Sequence, residues 1–216
     1  MKILIVDDTQ ANLEAAKKAA EEFKENEFVF VSTASEALRL MKGFDGLITD
    51  LFLPAEEDKD LNLAYFSYLR KVATSDNAHK FTAMAMGASN AGRALGETIE
   101  VMRSGISERS KTPQFPYGGV LMLKAKSLDL KHVLISDVHR HGTSHEDQAT
   151  SVSAMAVLLP IIEEGIFTAK QAAEDGAGSK TYMGMEPLYK ATRDSEIHGK
   201  ENPMAWKVAI TMVLNQ

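Results

Sequence analysis

The 216-residue chain contains no cysteine. That absence excludes disulfides, thiolate metal sites and cysteine nucleophiles, and it fits a reducing, cytoplasmic setting. No apolar run reaches membrane-spanning length, and the chain opens on a strand-like run rather than a charged region with a long apolar stretch. Neither a membrane span nor a signal peptide is therefore expected. A basic excess is missing too. The net charge is −6, with 24 Lys and Arg against 30 Asp and Glu, whereas nucleic-acid binding asks for a positive footprint on the phosphates. No internal repeat and no linker divides the chain, so a single domain over residues 1–216 is expected. What is present is ordinary for a soluble globular protein: 44% hydrophobic and 25% charged residues, in a length that can bury a real core.

The informative stretch is Lys2-Ile3-Leu4-Ile5-Val6-Asp7-Asp8. Ile3 to Val6 are too few for a helix and rich in β-branching, which predicts a strand buried on both faces. Two adjacent carboxylates at the carboxyl end of such a strand would open into the crevice where α/β sheets place ligands. Two acids there repel each other, and a hard cation would relieve the repulsion. The plainer alternative is that Asp8 or Thr9 caps the following helix.

Residues 10–25 place Leu13, Ala16, Ala20 and Phe23 at helical spacing, an amphipathic pattern. Phe28–Val31 reads as a second buried strand. Ser32, Thr33 and Ser35 offer caps for a short helix that stops at Gly43. Gly46-Leu47-Ile48-Thr49 is a third strand that ends at Asp50 and runs on into Leu51-Phe52-Leu53-Pro54. The alternation β-α-β-α-β implies right-handed crossovers and a parallel sheet, with Asp7, Asp8 and Asp50 at one edge of it.

These residues, with Pro54 four positions after Asp50, resemble the amino half of a response-regulator receiver domain over roughly the first quarter of the chain. The resemblance implies a flavodoxin-like, doubly wound α/β sheet of about five parallel strands. It also implies magnesium held by Asp7, Asp8 and Asp50, with Phe52 offering only its backbone carbonyl, and a phosphoryl group accepted by Asp50 from a histidine kinase or phosphotransfer protein. Elementary chemistry agrees, because a carboxylate nucleophile needs the incoming phosphoryl oxygens neutralised. A strand-end turn residue is the plain alternative for Asp50.

From Ala55 to Gln114 the resemblance lapses, and residues 55–114 read as a helical insertion. Leu61, Tyr65, Leu69 and Val72 form one stripe of a helix, Phe66 adds bulk, and residues 79–103 form a small-residue, Met-bearing helical stretch. Gly87 to Ala94 has phosphate-loop glycine spacing but lacks the Lys-Ser/Thr pair and a preceding strand, so it is rejected. A helix from Pro116 through Leu128 and a fourth strand, His132 to Asp137, follow. In the family a hydroxyl at the end of strand four contacts the phosphoryl group, which gives that part to Ser136. Asp137 beside it departs from the family's small residue.

Three of the six histidines, His139, His141 and His145, fall within seven residues. With Asp137 they could ligate zinc, iron or manganese. A polar strand-to-helix loop is the plainer reading, and a loop bordering the Asp50 pocket is a third. Glu196 to Lys200 is read as a short last strand before a helix that starts near Pro203 and buries Trp206, Val208, Ala209, Ile210 and Val213. The family's lysine at the end of strand five falls on Lys200, with Lys180 as runner-up. Ile197 stands where the family has a switch aromatic.

Three functions stay open. One is a receiver-like signalling domain acting through Asp50, Ser136, Lys200 and Mg2+, with a kinase or phosphotransfer protein and an effector as partners and a homodimer left open. The second is a pseudo-receiver that binds partners without phosphorylation. The third is a metal-dependent hydrolase built on the histidines.

Overall fold

Apolar runs too short for helices become strands, and the amphipathic stretches between them become the helices that cover the sheet. The computed structural model describes residues 1–76, 78–80, 96, 99–100, 102–103, 113–135 and 199–216. In chain order these form β1 (Lys2–Val6), α1 (Gln10–Ala20), β2 (Glu27–Val31), α2 (Ala34–Leu40), β3 (Gly46–Asp50), β4 (Leu53–Pro54), α3 (Lys59–Thr74), β5 (Gln114–Phe115), α4 (Tyr117–Ser127), β6 (Lys131–Ile135) and α5 (Pro203–Leu214). Two 3-10 turns are described, Met41–Gly43 after α2 and Gly199–Glu201 before α5.

The main sheet is parallel, in the order β2-β1-β3-β6. Residues alternate between its faces, as strand geometry requires. Leu4, Val6, Leu47 and Leu134 point into one core with α2, α3 and α4. Ile3, Ile5, Ile48, Val133 and Ile135 point into the other, with α1 and α5. Ile3 to Val6 are fully buried, at about 1.5–3 kcal/mol for each side chain. Covering both faces is what an all-parallel sheet needs, and it places β1 and β3 at the centre. Chain connections leave β1 toward β2 on one side and reach β3 on the other, so the crevice at a topological switch point opens at the carboxyl ends of β1 and β3.

Several expectations are corrected. β2 lies at the edge of the sheet and only Val31 in it is buried, because an edge strand has a neighbour on one side alone. The first helix stops at Ala20, and Phe23 packs on the core from beyond its end. Tyr68, not Phe66, completes the buried stripe of α3, and Phe66 is 61% exposed. Val208 is only partly buried. Lys200 lies in the 3-10 turn rather than on a strand, and residues 196–198 are outside the described residues. No strand flanks β6 on its outer side among the described residues. Instead the Gln216 side chain accepts from the His132 amide at 2.9 Å and donates to the His132 carbonyl at 2.9 Å.

The expected insertion is cinched at its base. β4 and β5 pair antiparallel, Leu53 with Phe115 and Pro54 with Gln114, and the Ala55 amide donates to the Pro113 carbonyl at 3.1 Å. Tyr65 of α3 stacks edge-on against both Phe115 and Tyr117. The Glu56 carboxylate accepts from the Ala34 and Ser35 amides and from the Ser35 hydroxyl, so the segment that follows β4 caps α2. Of the stretch at 79–103 few residues are described, among them buried Met102.

Candidate functional site

The parallel register pairs Val6 with Thr49, so the residues that follow each strand, Asp7 and Asp8 on one side and Asp50 on the other, meet at the same level. One carboxylate oxygen from each of the three lies within 4.8 Å of those from the other two. Asp7 is fully buried and Asp50 nearly so.

Each acid is held differently. Asp7 Oδ1 accepts from the Thr9 amide and from Asn12 Nδ2, both at 2.9 Å. Thr9 occupies the N-cap position of α1 but its own side chain makes no capping bond. The helix start therefore orients Asp7, and the capping alternative for Asp8 and Thr9 does not describe these side chains. Asp50 Oδ1 accepts from the Leu51 amide at 2.7 Å. Asp8 Oδ2 accepts from Gln114 Nε2 at 3.2 Å, from the β4–β5 pair.

Lys200 closes the site. Its Nζ lies 2.7 Å from Asp7 Oδ2 and 2.7 Å from Asp50 Oδ2, and the residue is only 4% exposed. Lysine is almost never this buried unless it is paired. Its backbone is fixed by Trp206, whose indole Nε1 donates to the Lys200 carbonyl at 2.7 Å while the ring fills the core between α1, α5 and the sheet.

Among the described residues, three carboxylates face one ammonium, which leaves the cluster two charges short of balance when all are ionised. Asp50 bears the consequence. Burial pushes its pKa up from 3.8 to about 7, the Lys200 charge opposes that rise, and the Asp7 and Asp8 charges add to it. A hard divalent cation fits this donor set on both counts. It takes oxygen ligands, and it would supply the two missing positive charges. Asp7, Asp8 and Asp50 are the residues that could hold it.

The wall beside Asp50 is made by α4. The Gly118 amide donates to the Leu51 carbonyl at 3.0 Å, and a Cβ at Gly118 would stand 2.0 Å from the Asp50 carbonyl oxygen. Only glycine allows that approach. Gly119 is similarly confined by the Tyr68 ring.

Of the sequence candidates, Asp7, Asp8, Asp50 and Lys200 come together. Ser136, Asp137, His139, His141, His145, Lys180 and Ile197 lie outside the described residues. Sequence reasoning missed Asn12, Gln114 and Gly118, and it placed Trp206 in the core without its bond to Lys200. Asn12, one helical turn into α1 from the acid pair, carried a signal, a polar residue on the buried stripe. Gln114 carried none. No family model, no curated protein and no solved structure matches the chain. Among the described residues no helix is long and apolar enough to cross a membrane.

Proposed function

We propose that the chain is a receiver-like phosphoacceptor domain that uses Asp50 as nucleophile. The observation that carries this reading is Lys200, a buried ammonium bridging Asp50 and Asp7 from a point 150 residues further along the chain. A lone strand-end turn would not call for it.

The reaction divides among the chain's own groups. An Asp50 carboxylate oxygen forms a bond to phosphorus as the donor's N–P bond breaks, and the donor histidine takes back the electron pair. Asp50 must be ionised to attack, and the Lys200 ammonium favours that form against the effect of burial. Lys200 then pairs with the acquired phosphoryl charge. Magnesium at the three acids would supply electrostatic stabilisation of the transferring group. Asn12 and the Thr9 amide keep Asp7 aimed into the site. Ser136 is assigned the hydroxyl contact to the phosphoryl group.

The finer fold belongs to the same proposal. The order β2-β1-β3-β6 corresponds to the first four positions of the flavodoxin-like order, and the sheet of about five strands is part of this proposal. The proposed partners are a histidine kinase or phosphotransfer protein as donor and an effector that reads the phosphorylated face.

The test is incubation with a small phosphodonor and Mg2+, followed by intact mass. One phosphoryl adduct is expected in the wild type and none in Asp50→Asn. No wild-type adduct, under conditions that label an ordinary receiver, would overturn the reading. A second reading, a phosphorylation-independent binding module, draws on the same ion pair. Asp50 is 7% exposed and both its oxygens are already engaged, which suits a permanently closed site. It predicts no adduct and unchanged partner binding in Asp50→Asn.

A further inference from the structure

The three acids are not equally restrained. Asp7 is oriented by the Thr9 amide, Asn12 and Lys200, and Asp50 by the Leu51 amide and Lys200. Among the described residues, the donor that reaches Asp8 is Gln114. Gln114 belongs neither to the sheet nor to the helices that carry the site. It lies on β5, opposite Pro54, in the antiparallel pair that cinches the insertion.

We infer that Gln114 is a positioning residue for the cation, and that it ties occupancy of the acid site to pairing at the neck of the insertion. This rests on the proposed function and deepens it by naming how the insertion is coupled to the site. By donating to Oδ2, the Gln114 amide restrains the rotation of the Asp8 carboxylate at the acid cluster. Hydrogen bonds of this kind, one step out from the metal, commonly carry 10–100-fold in metal affinity. The coupling is reciprocal by thermodynamic necessity. If neck pairing favours cation binding, the cation favours neck pairing by the same factor. The neck is well placed to transmit this, because β4 follows Asp50 by three residues, the Ala55 amide bonds across to Pro113, and α4 continues directly from β5 to the Asp50 wall.

Two measurements on the full chain test this. Calorimetric titration with MgCl2 compares the wild type with Gln114→Met, which keeps length and bulk but removes the donor. A loss of about 10-fold in Mg2+ affinity is expected, with an unchanged melting temperature in chelator. Equal affinity in the two proteins would overturn the inference while leaving the metal site standing. Hydrogen exchange at the Ala55 amide, with and without Mg2+, needs no variant. Slower exchange with Mg2+ is expected in the wild type, and no Mg2+ effect would overturn the linkage. A wild type that binds no Mg2+ at all would sink the proposed function itself along with the inference, a result distinct from either of the others.

Discussion

The acids and the lysine of the site are held by different kinds of structure. Asp7 and Asp50 end adjacent strands whose ladder fixes their relative height, residue for residue. Both strands are buried on both faces, between two separate cores. Lys200 stands on a three-residue turn, and the Trp206 indole donates to its carbonyl. Moving the acids would require unpairing the central sheet. Moving the lysine requires breaking its ion pairs and shifting a turn, with no sheet to unpair. A site built this way has a rigid anionic half and a cationic half that can be adjusted locally.

The most severe way to break the contrast is to remove the lysine. Lys200→Met leaves Asp7 and Asp50 buried with no ammonium, and breaking a buried pair from one side costs about 3–5 kcal/mol. The loss should be largest at pH 8 and smaller at pH 5, where Asp50 can take up a proton instead. Chemical denaturation at the two pH values checks this. Adding Mg2+ should recover part of the loss at pH 8, since it supplies charge to the same oxygens.

Acting on the rigid half should have the opposite sign. The folded-state pKa of Asp50 is raised to about 7 from 3.8, mainly by burial. A raised carboxyl pKa means that the folded state holds its proton more tightly than the unfolded chain. Its stabilising contribution is thus complete below about pH 3.8 and is lost as the pH rises through about 7. At about 1.4 kcal/mol per pKa unit, the ionised residue costs up to about 4 kcal/mol above pH 7. Asp50→Asn should therefore stabilise the metal-free protein by about 2–4 kcal/mol at pH 8 and have little effect near pH 4. Equal melting shifts at both pH values would mean that burial does not govern this carboxyl.

The same contrast explains what could be read from the sequence. The anionic half was legible because it is local. Ile3–Asp8 and Gly46–Asp50 each announce a buried strand ending in acid, and parallel pairing alone brings them together. Lys200 was reached by resemblance, by counting back from the last helix, and it lies on a 3-10 turn where a strand end was expected. Gln114 could not be found at all. A glutamine 106 residues from Asp8 has no local pattern, and its place is set by a two-residue strand pair that forms only in the folded chain. Phe66 was misassigned because helical spacing puts it beside the buried stripe of α3 without saying how wide the covered face is.

A milder change probes the turn itself. Trp206→Phe keeps an aromatic ring in the core but removes the donor to the Lys200 carbonyl. The lost hydrogen bond and reduced bulk should together cost about 1–3 kcal/mol. If the lysine depends on its turn as argued, the variant should also show a weaker response of stability to pH and a slower phosphorylation of Asp50. A stability loss with both readouts unchanged would mean that Lys200 is held by its ion pairs alone.

The smallest expected effect isolates the scaffold from the site. α4 ends in a Schellman-type turn, in which the Leu130 amide donates to the Ala125 carbonyl and the Asp129 amide to that of Lys126. The residue in the left-handed position is Asp129, with φ of 57°, where glycine is the usual occupant. Asp129 carries a side-chain penalty in that conformation and a negative charge beside the carbonyl end of the helix. Asp129→Gly removes both, at the expense of a more mobile unfolded chain, for a net gain of about 0.5–1 kcal/mol in thermal or denaturant unfolding. The turn leads into β6, which pairs with β3, yet it touches neither the acids nor Lys200. Mg2+ affinity and the pH dependence of stability should therefore stay at wild-type values while the midpoint rises. A changed Mg2+ affinity would show that the strand-borne half is less rigid than its ladder implies, because the site would then be feeling the far end of β6.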